Sequence, residues 1–258
     1  MMACVGVGRW AVAHPGRGVG AGRIGSAVVR GHRRRPLSST VGPAAVGAGR
    51  ACGPMHNGDM RVIAGRFKGF ELKAPKSGTR PTTDRTKEAI FSRLESWGML
   101  EDSRILDLYA GTGALGIEAL SRGARELVAV ESAASAASLI AASFAALKRH
   151  RAWEPGMVAR LVRKRAEQYV ADRGGQAAAD APAAAAFDVI FIDPPYAVAT
   201  EDCNALLNGL VASGCAGRGT VIVLERSVRS DDPAAPEGWG VSDRRDYGET
   251  AVFYIEMA

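Results

Sequence analysis

The sequence predicts an α/β fold: a Rossmann-like, mostly parallel seven-stranded sheet with helices on both faces and a C-terminal antiparallel hairpin, preceded by a small basic N-terminal β-hairpin. Three observations carry this. The stretch ILDLYAGTGALGIEAL, residues 105–120, passes from a buried strand through a glycine turn into an apolar helix. Downstream, short and uniformly apolar runs alternate with helical segments, as parallel strands buried on both faces require. The final segment, GWGVSDRRDYGETAVFYIEM, holds two strand-like runs about a polar turn.

Residues 1–58 stand apart from this pattern. They hold eight arginines and no acid, so that of the chain's 33 Lys+Arg and 27 Asp+Glu, 25 basic and 27 acidic side chains remain for the rest. The basic balance belongs to this leader, and the remainder is close to neutral. Its Arg-rich, hydroxylated, acid-free composition reads as an organellar transit peptide, the alternatives being a disordered basic tail or an internal start at Met55 or Met60. It lacks the compact apolar core of a secretory signal, and no apolar run approaches the roughly 18 residues of a membrane span. A soluble protein is expected. Cys4, Cys52, Cys203 and Cys215 form no CxxC pair, and His14, His32, His56 and His150 are scattered, so neither a metal site nor a disulfide framework is expected.

From Met60 the run MRVIAGRFKGFELKAP alternates apolar residues with Arg61, Arg66, Lys68 and Lys73 about Gly65 and Gly69, a hairpin with one basic face. Pro81 then punctuates, a Thr or Asp caps, and Ala89, Ile90, Phe91 and Leu94 form a helical stripe. With Lys76, Arg80, Arg85 and Lys87 this gathers eight cations, either a solvated face or a grip for phosphate. The sequence thus divides into the leader 1–58, a hairpin and helix over 59–98, and the main domain over 99–258.

Within that domain the glycine loop Gly111-Thr-Gly113-Ala-Leu-Gly116 matches the G-x-G-x-x-G spacing of dinucleotide binders, a weak match alone. Asp107 decides against them. A carboxylate inside the end of the preceding strand repels pyrophosphate and suits a cationic ligand, such as the sulfonium and amino groups of S-adenosylmethionine. The bland alternative is a packing turn with a capping Asp. Glu131, ending the strand ELVAVE about 20 residues past Gly111, stands where such folds place an acid on ribose hydroxyls, or else caps the next helix. The order continues with a helix over 133–148, the strand MVARLV, a short helix near 167–170, an alanine-rich flexible insert at 174–186, the strand FDVIFI, a helix near 204–211 and the strand TVIVLE.

At the carboxyl end of FDVIFI stand Asp193, Pro194, Pro195 and Tyr196. Taken alone this is a turn. At the same sheet edge as Asp107 it offers two acceptors, the Asp193 carboxylate and the Pro194 carbonyl, and one aromatic face. These suit methylation of an exocyclic amino group on a nucleobase: acceptors on its two hydrogens free a lone pair otherwise delocalised into the ring, while Tyr196 stacks on the base. Such a base must be single-stranded or flipped out.

MRVIAGRFKG, RPTTDRTKEAIFSRL, DLYAGTGALGIEALSRGA, FDVIFIDPPY and DYGET together resemble the bacterial RsmD family, 16S ribosomal RNA methyltransferases that modify the N2 amino group of guanine 966. The resemblance covers essentially Met60 to the C-terminus. It implies the class I S-adenosylmethionine-dependent methyltransferase fold, with Asp107, Tyr109, Gly111 and Gly113 around the methionine end of the cofactor, Glu131 on the ribose, and Ser132 also binding the cofactor. It implies that Asp193, Pro194, Pro195 and Tyr196 present the guanine, and that Arg80, Thr82, Asp84 and Arg85 of the RPTTDR block close the site or grip RNA; Arg61, Arg66 and Lys68 of the basic hairpin are expected to contact RNA beside them. The family usually has Asn or Asp before Ala after the third strand, where this chain has Arg165, so adenine recognition falls to the Ala166 backbone or a neighbour. Small-subunit ribosomal RNA, naked or in the assembled subunit, is the implied partner, and a monomer is expected. With the leader, the resemblance points to an organelle with bacterial-type ribosomes, the chloroplast ahead of the mitochondrion. Rival readings are an amino-methylase acting on adenine or cytosine of DNA or another RNA, a non-catalytic ribosome-assembly factor, and, disfavoured by Asp107, a dehydrogenase.

Overall fold

The computed structural model describes residues 60–73, 84–177 and 186–258, all within the unit Gly53–Ala258. The leader, Arg80 and Thr82 lie outside the described residues. A short hairpin, β1 (Met60–Arg61) and β2 (Glu71–Leu72), is followed by α1 (Asp84–Ser96) and then by β3 (Arg104–Leu108), α2 (Ala114–Ser121), β4 (Glu126–Val130) and α3 (Ala134–Leu147). The chain continues through β5 (Val158–Val162), α4 (Ala166–Ala177), β6 (Val189–Ile192), α5 (Thr200–Ala212), β7 (Val221–Ser227), β8 (Trp239–Tyr247) and β9 (Thr250–Met257).

Seven strands form one sheet in the order β5-β4-β3-β6-β7-β9-β8. The first five are parallel, and β9 runs antiparallel to both β7 and β8. Alternation along the strands separates two cores. Ile105, Leu127, Ala129, Val189, Phe191, Val221 and Val223 point to one face, packed under α1, α2, α3 and the hairpin. Leu106, Leu108, Val128, Val130, Ile190, Ile192, Ile222 and Leu224 point to the other, under α4 and α5. Both faces are therefore apolar, as the sequence pattern demands.

The hairpin and α1 share the first core with the sheet: Val62, Phe67, Leu72, Ile90, Phe91 and Leu94 are buried in it. Hydrogen bonds to α2 fix the hairpin in place. The Glu118 carboxylate, 0% exposed, accepts from the backbone N–H groups of Ile63 (2.8 Å) and Ala64 (3.0 Å) and from Arg122 Nε (2.7 Å). Ser121 Oγ accepts from the Phe67 N–H (2.9 Å) and donates to the Ala64 carbonyl, while the Ser121 carbonyl accepts from the Arg66 N–H (2.7 Å). An ionised group so deep is tolerable because it is hydrogen-bonded and ion-paired.

Two expectations are corrected. The short helix near 167–170 extends over Ala166–Ala177, so residues 174–177 of the supposed loop are its last turn; residues 178–185 lie outside the described residues. The helix near 204–211 begins at Thr200, with Glu201 and Asp202 in a first turn where acids complement the helix dipole. In both, weak periodicity at the ends hid turns that tertiary packing makes helical.

Gly65 has φ +78°, and a Cβ built there would lie 1.9 Å from the Ser121 carbonyl oxygen. Gly65→Ala therefore combines left-handed strain with a clash against backbone, and a loss of about 2–4 kcal/mol in denaturant unfolding is expected. An unchanged midpoint would show that the hairpin does not dock on α2.

Candidate active site

Three parallel strands end side by side. Leu108 is level with Val130 of β4 on one side and with Ile192 of β6 on the other, so the residues that follow, Tyr109, Glu131 and Asp193, emerge together. Chain order reverses between β3 and β6, the switch point at which such sheets open a crevice. Asp107 lies one residue before the end of β3, between the other two carboxylates.

The glycine loop is held to this edge by carboxylates. Asp107 Oδ2 accepts the Gly116 N–H at 2.9 Å, and a Cβ on Gly116 would approach that oxygen to 2.9 Å and Leu127 Cδ1 to 2.4 Å. A glycine is thus needed for α2 to sit this close to the sheet. Glu131 accepts the N–H groups of Gly111 (2.8 Å) and Ala133 (2.6 Å), bridging the loop to the start of α3. Both readings of Glu131 meet here: it binds the N-cap residue of the next helix and also faces the crevice.

Asp107 is 2% exposed, and burial pushes its carboxyl up to about 7; the Gly116 N–H opposes the shift, and Asp193 and Glu131 add to it by repulsion. Tyr109, at φ +56°, takes a backbone conformation that non-glycine residues rarely adopt. Its hydroxyl donates to Glu167 Oε1 at 2.6 Å, and burial together with that carboxylate raises its pKa.

These groups line a cavity of about 760 Å³. Its wall includes Asp107, Tyr109, Gly111, Glu131 and Ser132 from the ends of β3 and β4, and Asp193, Pro194, Pro195 and Tyr196 from the end of β6. Tyr196 is 64% exposed, an aromatic face open to an incoming ring. The cavity carries six acidic side chains, Asp107, Glu131, Asp193, Glu225, Asp246 and Glu249, against three basic ones, Arg85, Lys87 and Arg226. Such a lining disfavours an anion inside and favours a cationic or neutral guest.

Of the residues the sequence singled out, Gly113 is buried at the start of α2 as its N-cap. Ala166 is buried in the second core and does not line this cavity; its neighbours Arg165 and Glu167 border a separate cavity of about 430 Å³ between α4 and α5. Among the expected RNA contacts, Arg85 lines the large cavity, Arg61 and Lys68 are exposed, and Asp84 pairs with Lys87 at 3.4 Å. Arg66 is engaged elsewhere, 2.5 Å from Glu154 and 3.6 Å from Met157 Sδ.

Three contributors to the site are not assigned to it by the sequence: Lys87 reads only as one of a cluster of cations, the DYGET segment only as a turn that carries the resemblance, and Arg226 not at all. Lys87, 2% exposed, continues the buried stripe of α1 through Ile90, Phe91 and Leu94, and its Nζ donates to the Arg61 carbonyl at 3.3 Å. Arg226 is buried at the end of β7 and donates to the Val198 carbonyl at 2.9 Å, fixing the loop that follows Tyr196. The turn Asp246–Thr250 between β8 and β9 forms a further wall. The i, i+3, i+4 spacing of Lys87 was readable; nothing in the sequence marks Arg226.

A family model described as Conserved hypothetical protein 95 matches residues 60–256. The chain is similar to Ribosomal RNA small subunit methyltransferase D of Escherichia coli strain K12, 31% identical over 204 residues, covering 77% of this chain and 91% of that protein. It is also similar to the protein of that name from Haemophilus influenzae, 32% identical over 144 residues, 55% of this chain and 67% of that one. Among solved structures, a hypothetical protein of Thermus thermophilus aligns with a TM-score of 0.60 at 32% identity, covering 77% of this chain and 99% of that one.

Asp107 makes stability depend on pH with a definite sign. Between its ordinary value of 3.8 and about 7 the folded chain holds a proton that the unfolded chain has released, so stability falls as pH rises through that window. The slope is at most about 1.4 kcal/mol per pH unit. Asp107→Asn, which keeps an acceptor for Gly116, should lose this slope and be the more stable protein above pH 7. Parallel wild-type and variant curves in pH-dependent urea unfolding would refute the assignment.

Proposed function

The chain belongs to the Conserved hypothetical protein 95 family, that of ribosomal RNA small subunit methyltransferase D, and on that premise we propose that it transfers a methyl group from S-adenosylmethionine to the N2 amino group of a guanine in small-subunit ribosomal RNA. The observation that carries this reading is the convergence of Asp107 and Asp193 on one cavity.

The residues fit the donor. A buried carboxylate acted on by two further carboxylates gains most from a cationic neighbour, and the amino group of the donor supplies one beside Asp107. The Glu131 oxygens that hold Gly111 and Ala133 keep lone pairs for ribose hydroxyls. Tyr109, Gly111 and Ser132 complete this half of the cavity. When bound, the donor supplies a methyl group whose leaving group is a neutral thioether.

The other half prepares the acceptor. Asp193 and the Pro194 carbonyl hold the two amino hydrogens, which localises the nitrogen lone pair toward the methyl carbon. The two prolines fix φ, so this acceptor is aimed before the base arrives. Tyr196 stacks on the ring, and Arg226 keeps its loop in place through Val198. As the N–C bond forms, the surplus proton leaves through Asp193 to water. A neutral base enters this acidic cavity readily, whereas its phosphates stay outside. The leader supports a plastid destination, with the mitochondrion as the alternative.

Incubation with unmodified small ribosomal subunits and methyl-labelled S-adenosylmethionine tests this, with the product nucleoside mapped. Label on guanine N2 is expected, falling about a hundredfold or more in Asp193→Ala while donor affinity holds. Label on adenine or cytosine, or full activity in the variant, would overturn the reading.

A further inference from the structure

An acidic base cavity raises a problem for a polyanionic substrate, because the affinity for RNA must be generated away from the site of reaction. The expected basic face supplies little of it: Arg66 is neutralised by Glu154, and Arg85 and Lys87 are taken up in the wall of the acidic cavity. A second cationic cluster exists at the far end of α3. This helix starts beside the cavity, which Ala133 and Ala136 line, and its 14 residues carry the chain about 21 Å away. There Lys148, Arg149 and Arg151 follow in quick succession, all exposed.

The hairpin tip meets them. The Phe67 ring packs edge-on against His150, with centroids 5.4 Å apart, and stacks with Trp153 at 6.3 Å, which places exposed Lys68 beside the α3 terminus. Among the described residues none of Lys68, Lys148, Arg149 and Arg151 pairs with a carboxylate. The Glu118 and Ser121 hydrogen bonds hold the tip against α2, so the cluster keeps a fixed distance from the cavity. Complementing the dipole of α3 accounts for a cation or two just past its last turn, where Lys148 is the C-cap, but not for one contributed by the hairpin.

We infer that Lys68, Lys148, Arg149 and Arg151 form a docking patch for RNA phosphates about 20 Å along α3 from the cavity wall at Ala133 and Ala136, so that the protein grips a part of the ribosomal RNA other than the segment carrying its target base. This rests on the ribosomal RNA reading above. It separates the two requirements of the substrate: charge neutralisation at the far end of α3, and base presentation in the cavity beside which α3 starts.

The test measures binding of the full-length Lys148→Glu/Arg149→Glu/Arg151→Glu variant to unmodified small-subunit ribosomal RNA across a salt series. At about 0.1 M salt the affinity should fall at least about tenfold, and the slope of log K against log salt should become shallower by about 2–3. S-adenosylmethionine affinity should be unchanged, and the charge-conserving Lys148→Arg/Arg149→Lys/Arg151→Lys variant should bind as wild type. Should the reversal weaken folding, Arg149→Gln/Arg151→Gln reads the same effect, with a slope shallower by about 1–2. Wild-type affinity and slope in the folded variants would overturn the patch, as would equal loss in the charge-conserving variant. Failure of the wild type itself to bind this RNA would instead bring down the functional reading, and the patch with it.

Discussion

Two carboxylates hold the glycine loop, and the site follows from that. Asp107 and Glu131 accept the Gly116, Gly111 and Ala133 N–H groups, tying α2 and α3 to the ends of β3 and β4. Hydrogen bonds to backbone donors are what make a carboxylate tolerable at this depth, yet they do not cancel the burial of Asp107, whose carboxyl stays near 7. The loop geometry and the acidity of the cavity are therefore one feature. A sheet edge built this way is ready for a cationic ligand and hostile to pyrophosphate.

The same edge explains why the acceptor groups lie where they do. β6 is the parallel neighbour of β3 across the switch point, so the first residue past its end, Asp193, must face the crevice. Closure comes from elements outside the parallel sheet: Arg85 and Lys87 of α1, and the Asp246–Thr250 turn of the terminal hairpin. The N-terminal hairpin belongs to the same body, since Glu118 of α2 binds its backbone while the other end of α2 carries the glycine loop. RNA held by the hairpin would thus be held relative to the methyl donor.

Much of this was legible in the chain. The strands, their parallel character and the terminal hairpin followed from uniformly apolar runs and turn residues, because burial on both faces leaves an unmistakable pattern. The acid-flanked loop and Asp193–Tyr196 also converged as their positions at strand ends implied. Helix ends were less readable: α4 runs on to Ala177 through Gly174 and Gly175, residues that weaken any helical signal. Arg66 looked like a free cation because nothing local announces Glu154 as its partner, 88 positions along the chain. Arg226 was invisible for the same reason, its hydrogen bond to Val198 being purely tertiary.

Two carboxylates, Asp107 and Asp193, are expected to serve opposite ends of one transfer. A crystal structure of the protein with S-adenosylmethionine bound measures this most directly. The donor amino group is predicted within about 2.7–3.2 Å of Asp107, with the ribose on Glu131 and the methyl carbon directed at the space bounded by Asp193 and Tyr196. A donor seated in the cavity between α4 and α5, or one whose methyl group turns away from Asp193, would contradict it.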